Sequence, residues 1–462
     1  MSSIGASEPR AAGAARLSFP IDAPLYEQYL YGYPHKLAYG PIEPALTLAD
    51  IWSSEDKRAL SLYVHVPFCE QRCGFCNLFT FANPGDEMPE RFVDVLERQM
   101  VRTHGALGEA TFTHYAIGGG TPTYLTAAQL ERMFDALSAR MGLRSGAAQG
   151  SVETSPLTAT PEKLRVLRER GVRRVSIGVQ SFVEGETEAI GRRQSTVVVH
   201  EALSRIRHQG FPTLNLDLMY GLPDQTEASL LGSLRAALVH NPEELYLYPL
   251  YVRPLTLIGK AARAGRDPAW DESRRRLYRA GREMLLSEGY AQVSMRMFRK
   301  TGAPGPLTDA SYRCQKDGMV GLGPGARSYT DSVHYSTAYA VGAKKVRSIL
   351  EGYLSASDDV FDLATWGVVL SDAEKRRRFV ILSLLSDEGL DCDLYRERFG
   401  SEAAQDLPEL GALAEVTVPA PLVERSAQRL LLTPSGVERS DQIGPFLMSE
   451  QVRSLVSGGP TA

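Results

Sequence analysis

The sequence predicts an α/β protein: a partial (β/α)6 barrel with an N-terminal arm and a small C-terminal winged-helix-like α+β domain. Three observations carry this expectation. From about 60 to 252, short β-branched or apolar runs alternate with amphipathic helical stretches, the rhythm of repeated βα units around a parallel sheet. Beyond about 370 that rhythm stops, and a helix set followed by a strand and turn takes over. With 462 residues, 43% of them hydrophobic, the chain is long enough for one large core and a smaller second domain.

In chain order, residues 1–20 are rich in Ala, Gly and Ser and read as a disordered tail. Residues 21–60 form the arm. Its run from Pro24 to Lys36 carries Tyr26, Tyr29, Tyr31 and Tyr33, too apolar for a solvated tail, so it is expected to pack over the barrel. The catalytic region with its extension spans 61–369. Its six strands are read at Leu62 to Val66, Thr113 to Ile117, Ser151 to Thr154, Arg174 to Val179, Leu214 to Met219 and Leu245 to Leu250. Helices are expected near 88–105, 126–142, 161–170, 197–209 and 226–240. Six such units fit an open barrel better than a closed eightfold one. A basic helix over 270–289 (Arg274, Arg275, Arg276, Arg279, Arg282) reads as a solvated face, followed by a strand from Ala291 to Phe298. Residues 370–462 make up the winged-helix-like domain, and a winged-helix shape by itself is no warrant for DNA binding.

The formal charge of −4 offers no general electrostatic reason to expect nucleic acid or a membrane as partner. No apolar run reaches the eighteen or so residues of a membrane span, and Met1 to Ala15 lacks a signal-peptide apolar region, so the expected location is cytoplasmic. The cysteines are the strongest local signal. Of five, Cys314 and Cys392 stand alone, while Cys69, Cys73 and Cys76 fall within eight residues just after the first barrel strand. That clustering points to metal rather than to a disulfide framework. Thiolates are the usual ligands of iron-sulfur clusters, and three of them leave one iron of a 4Fe-4S cubane open for a ligand's amine and carboxylate. The competing reading is a Cys3His zinc site that recruits His65.

The ends of the later strands carry small or polar residues. Gly118-Gly119-Gly120-Thr121-Pro-Thr123 lets backbone approach a small polar ligand, and Glu153, Gln180 and Asp217 supply donors or acceptors at the edge where barrel ligands sit. Arg192 is placed to meet a carboxylate. For each of these taken alone, helix capping or solvent exposure is the bland alternative.

Cys-x3-Cys-x2-Cys, with Phe75 just before the last cysteine, resembles the signature of the radical S-adenosylmethionine (SAM) superfamily. Together with Tyr63-Val-His65-Val-Pro-Phe-Cys69, the Gly-Gly-Gly-Thr-Pro-Thr loop, Gly178-Val-Gln-Ser-Phe182 and Asp217-Leu-Met-Tyr-Gly-Leu-Pro223, it resembles the oxygen-independent coproporphyrinogen III oxidase group over roughly 25–460. That resemblance implies a radical SAM barrel and a 4Fe-4S cluster on Cys69, Cys73 and Cys76. It also implies one or two SAM molecules among Tyr63, Phe75, Gly119, Gly120, Thr121, Glu153, Gln180, Arg192, Asp217 and Pro249, with Arg327 lining a second site. A small-molecule substrate and an electron donor such as flavodoxin or ferredoxin follow from the same resemblance.

Three reactions are compatible with it. The first is class C chemistry, in which a second SAM donates carbon to methylate or cyclopropanate an unsaturated or aromatic molecule. The second is direct hydrogen abstraction, as in oxidative decarboxylation of a propionate, with Arg253, Arg296 and Arg299 available for carboxylates. The third is a non-enzymatic haem chaperone. Two departures bear on the choice. Leu78 stands where the oxidase carries a further cysteine, and Asp309-Ala-Ser-Tyr-Arg-Cys314 replaces the His-Asn-x-x-Tyr-Trp stretch of the chaperones. Cys314 itself is read as either a buried structural thiol or a functional one.

Overall fold

The computed structural model describes residues 17–458 except 27, 31, 145, 147, 254, 255, 257, 260–266, 305–317 and 427. Residues 1–16, Tyr31 and the Asp309–Cys314 stretch therefore lie outside the described residues.

The chain opens into a large mixed sheet. Strand β1 (Gly40–Thr47) is followed by β2 (Leu60–Val66), α1 (Glu87–Leu107), β3 (Phe112–Gly119), α2 (Ala127–Met141), β4 (Gln149–Thr154), α3 (Pro161–Glu169), β5 (Val172–Gln180), α4 (Thr196–His208), β6 (Thr213–Tyr220), α5 (Glu227–Leu238) and β7 (Glu244–Pro249). All six expected strands are present, and β2-β3-β4-β5-β6-β7 run parallel in that order. Their outward residues, such as Leu62, Val64, Ile117, Val152, Val175, Leu214 and Leu216, are buried beneath the crossover helices. Caps fix where those helices start: Thr126 and Thr226 each close a reciprocal capping box with the residue three positions on.

The remainder extends the sheet on both sides. After α6 (Pro268–Ser287) come β8 (Tyr290–Gln292), β9 (Met297–Lys300), β10 (Met319–Leu322), β11 (Arg327–Tyr329), β12 (Val333–Ser336) and β13 (Leu363–Val369). Among the described residues the sheet has thirteen strands in the order β1-β13-β12-β11-β10-β2-β3-β4-β5-β6-β7-β9-β8. It stays an open barrel. The single strand expected over 291–298 is instead the hairpin β8–β9, because Val293 to Arg296 turn back on themselves and Val293 N–H donates to Met297 O.

The C-terminal domain begins with α7 (Asp372–Leu384), carries the three-stranded sheet β14 (Leu390–Asp391), β15 (Val423–Arg425), β16 (Arg429–Leu432), and closes with α8 (Ser440–Phe446) and a last helix from Glu450. Helices dominate it, around a separate core of Val380, Ile381, Leu384, Leu410, Leu413 and Ile443.

Two expectations about the periphery change. The arm does not simply lie on the barrel. Phe19, Leu30, Tyr33 and Ala38 belong to the C-terminal core, Leu25 and Tyr26 to the barrel core, and β1 pairs with β13 as an edge strand. Phe19, assigned above to a disordered tail, is buried edge-on against Phe446. The basic helix α6 is likewise no mere solvated face. Arg274 is buried against Asp271 and donates to Leu250 O, while Arg279 pairs with Glu438 at 2.6 Å. These arginines tie helix, barrel and C-terminal domain together.

Candidate active site

At the carboxyl ends of the parallel strands lies a cleft of about 750 Å³, part of it open to solvent. The loop after β2 brings Cys69, Cys73 and Cys76 to its wall, and Phe75, Gly119, Gly120, Thr121, Glu153, Gln180, Arg192 and Asp217 line it too. The barrel register explains the meeting. His65 pairs with Gly118, Glu153 with Ser176, and Gly178 with Asp217, so every second residue of five strands faces the same interior.

Two glycines make room. A Cβ on Gly118 would lie 2.8 Å from the Glu153 carboxyl, and one on Gly120 would lie 2.5 Å from Phe68 O and 3.0 Å from Cys69 Sγ. The Gly119 N–H donates to Glu153 Oε2 at 3.2 Å. Gln180 reaches the cleft from a β-bulge and adopts φ +67°, a left-handed backbone that a non-glycine holds only when its surroundings enforce it. Arg192, also buried, donates to Gly178 O and approaches Cys73 Sγ at 3.4 Å.

Burial pushes Cys69 up to about 12 and raises Cys73, each further raised by neighbouring thiolates, whereas Thr121 and Arg192 respectively pull them down. Mutually repelling buried thiolates ionise readily only beside a cation. Among the described residues no three His, Cys, Asp or Glu side chains converge on one metal-ion position. Three thiols spread round one cleft suit a cluster, with one iron per thiolate, rather than a single ion. His65 does not complete a zinc set: its Nε2 is bonded to Phe79 O at 2.8 Å and its Nδ1 to the Tyr63 hydroxyl at 3.3 Å.

The carboxylates lie deeper. Burial, then the charge of Asp217, pushes Glu153 up to about 7; burial pushes Asp217 up to about 6, against the pull of Asn215, Arg174 and Arg192. The unfolded chain releases the Glu153 proton near 4.5 while the folded chain keeps it to about 7. Ligand-free stability therefore falls as pH rises through that window, by about 3 kcal/mol from this group, and levels off above it. Urea unfolding between pH 4.5 and 7.5 should show this fall, and Glu153→Gln should shrink it, leaving the part that Asp217 contributes below about pH 6. A cationic ligand group reverses the preference, so SAM binding near pH 6.5 should release protons.

Three expected SAM residues fall outside the cleft lining. Tyr63 stands beside it on β2, half-buried and held to His65; Pro249 is buried at the end of β7; Arg327 lies across the open barrel on β11. Of the arginines expected over the mouth, only Arg253 remains near it, close enough for its charge to act on His35 and Lys36. Arg296 is buried against Asp441 and Tyr251, and Arg299 against Glu244 at 2.6 Å, because each supplies the countercharge to a buried carboxylate. They belong to the framework.

Sequence reading missed several groups. Ser176 follows the same alternation as Gly178 and Gln180 and could have been found from it; Glu70, Arg72 and Leu78 line the cleft from the cysteine loop. The arm contributes most unexpectedly. Lys36 donates to the Tyr339 hydroxyl and, at 3.4 Å, to Asn77 O beside Cys76, so the arm closes over the cluster loop. Burial, then Arg327 and Arg253, push Lys36 down to about 7, opposed by Cys76.

Fold and site define a protein whose open barrel brings three cysteine thiols and the polar ends of its parallel strands into one cleft. Comparison with known proteins places it further. Residues 63–237 match the family described as the radical SAM superfamily, and 370–438 match the HemN C-terminal domain. The heme chaperone HemW of Bacillus subtilis is 32% identical over 275 residues, 58% of this chain and 70% of the relative. The oxygen-independent coproporphyrinogen III oxidase of Paracoccus denitrificans is 28% identical over 399 residues, 82% of this chain and 84% of the relative. The solved coproporphyrinogen III oxidase of Escherichia coli superposes with a TM-score of 0.78 at 24% identity, over 91% of this chain and 96% of that one, which shows a shared fold. The chain belongs to the radical SAM superfamily and, within it, to the oxygen-independent coproporphyrinogen III oxidase-like group that includes HemW. With membership come a 4Fe-4S cluster and SAM. Among the described residues no helix is long and apolar enough to cross a membrane.

Proposed function

We propose that this chain cleaves SAM reductively and abstracts hydrogen directly from a small organic substrate, in the manner of the oxygen-independent coproporphyrinogen III oxidases. The observation that carries the reading is the single cleft shared by the three thiols and the polar strand ends. When bound, the cluster and SAM supply a 5′-deoxyadenosyl radical by one-electron cleavage. The residues around them do the holding. Cys69, Cys73 and Cys76 fix the cluster, while Gly119, Gly120 and Thr121 offer backbone and a hydroxyl to SAM. Glu153, Gln180 and Asp217 bind its amino and hydroxyl groups, Arg192 its carboxylate, and Tyr63 and Phe75 flank it. The arm, with Lys36 over the cluster loop, keeps water from the cleft. A flavodoxin or ferredoxin serves as electron donor.

The relatives favour this reading over transfer of a methyl carbon from a second SAM, since those they name are coproporphyrinogen III oxidases and heme chaperones. The chaperone alternative draws on the HemW likeness, against the replacement of its His-Asn-x-x-Tyr-Trp stretch by Asp309 to Cys314. The test is anaerobic turnover of reconstituted protein with reductant, SAM, a one-electron acceptor for the electron left when carbon dioxide departs, and coproporphyrinogen III deuterated on its propionates. Deuterium in 5′-deoxyadenosine together with released carbon dioxide is the expected result. Label from methyl-deuterated SAM in both deoxyadenosine and product would replace the proposal with methyl transfer. A stoichiometric Soret shift on adding haem, without turnover, would replace it with haem carriage.

A further inference from the structure

Beyond the cleft, the inner face of the sheet carries a second set of polar groups. Met319 on β10 opposes both Ser61 on β2 and Tyr329 on β11, and Tyr329 opposes His334 on β12, so these four share one row. Arg327, two residues before Tyr329, stands on the same face one row nearer the cleft and opposes Ser336. From the other domain α7 brings in Arg378.

The electrostatics of this region do not close. His334 is fully buried, the Thr330 backbone carbonyl is the one acceptor that acts on its ring, no side chain among the described residues bonds to either ring nitrogen, and the Tyr329 ring packs edge-on at 4.7 Å. Arg378 is 8% exposed, its Nε is unpartnered, and among the described residues it forms no side-chain hydrogen bond or ion pair. Its charge and that of Arg327 both act on His334. The carboxylate within reach of Arg378 is Asp331, whose oxygens are already bonded to Lys375 and Arg398, each at 2.9 Å. A guanidinium cannot shed its proton, and holding one away from water without a countercharge costs several kcal/mol. A guanidinium without a countercharge, beside an imidazole that no side chain engages, lacks an acceptor that carries negative charge. The charge of Arg327 also reaches His35 and Lys36 of the arm and helps to push both toward their neutral forms.

We propose that Arg378, His334 and Arg327 form a pocket inside the open barrel for an anionic group, a carboxylate or phosphate, either carried in by the substrate or bound as a free ion. Only the first source rests on the functional reading above.

The test uses the reconstituted full-length protein and three probes: inorganic phosphate, coproporphyrin III with its four carboxylates, and etioporphyrin III, which has the same macrocycle and none. A substrate-borne anion predicts that wild type binds coproporphyrin at least about tenfold more tightly than etioporphyrin. That preference should collapse in Arg378→Met and in His334→Phe, which fills the same space, and survive in part in Arg378→Lys. A free-ion site predicts that phosphate raises the unfolding temperature of wild type saturably but not of Arg378→Met. If phosphate alone acts, the pocket stands and a porphyrin-like substrate is lost. If wild type and both neutral variants respond alike to all three probes, the pocket is wrong, while deoxyadenosine formation from SAM still decides the functional reading separately.

Discussion

Replacing Cys73 with Ser is expected to leave a folded chain that cannot assemble its cluster. Reconstituted wild type should carry about four irons per chain with visible charge-transfer absorption, and the variant should lose both. Formation of 5′-deoxyadenosine should drop at least about a thousandfold, to background, because the electron then has no route to SAM. Cys69→Ser and Cys76→Ser should do the same. Cys392, half-buried at the start of a helix in the C-terminal domain, is the control, and its replacement by Ser should change neither iron content nor turnover. The argument is geometric: the three thiols share one wall of the cleft, Cys69 beneath the Gly120 backbone and Cys73 against Arg192, so no other described side chain stands ready to substitute. Full iron content in the Cys73 variant would dismiss the assignment.

Asp441→Ala is expected to destabilise the fold by about 3–5 kcal/mol, the usual cost of stranding a buried charge. Arg296 and Asp441 are 4% and 1% exposed, and Asp441 also accepts from the Tyr251 hydroxyl. The guanidinium sits 3.7 Å over the Tyr29 ring, so arm, barrel and C-terminal domain meet at this pair. Once Asp441 is gone, Arg296 keeps its charge and has nothing of opposite sign against it. The double replacement Arg296→Met with Asp441→Leu should recover most of the loss, since two apolar side chains remove the problem rather than half of it. Guanidinium unfolding of the single and double variants measures this. A single-variant cost below about 1 kcal/mol would mean that water or a neighbour compensates the arginine.

These two residue sets were legible to very different degrees. Cys69, Cys73 and Cys76 declare themselves through local spacing, and so do Gly118 to Thr121, because the loop geometry that a cluster or ligand needs is confined to a few consecutive residues. The alternation of apolar strands and amphipathic helices likewise exposed all six parallel strands with errors of only one or two residues at their ends. Arg296 shows the opposite case. In sequence it is one more arginine near the end of a barrel strand, equally suited to a substrate carboxylate, and only the approach of Asp441 from 145 residues away makes it framework.

By itself, then, the sequence determined the open α/β barrel, the three-cysteine loop and the polar strand ends that meet it in one cleft, since each depends on short-range periodicity or spacing. The tertiary structure alone decided the rest. It threaded the arm between two cores and laid Lys36 over the cluster loop, it assigned Arg296 and Arg299 to buried carboxylates, and it gathered Arg327, His334 and Arg378 from two domains. Whether a charged side chain binds a ligand or its own protein depends on which opposite charge reaches it first, and that neighbour is set by long-range packing.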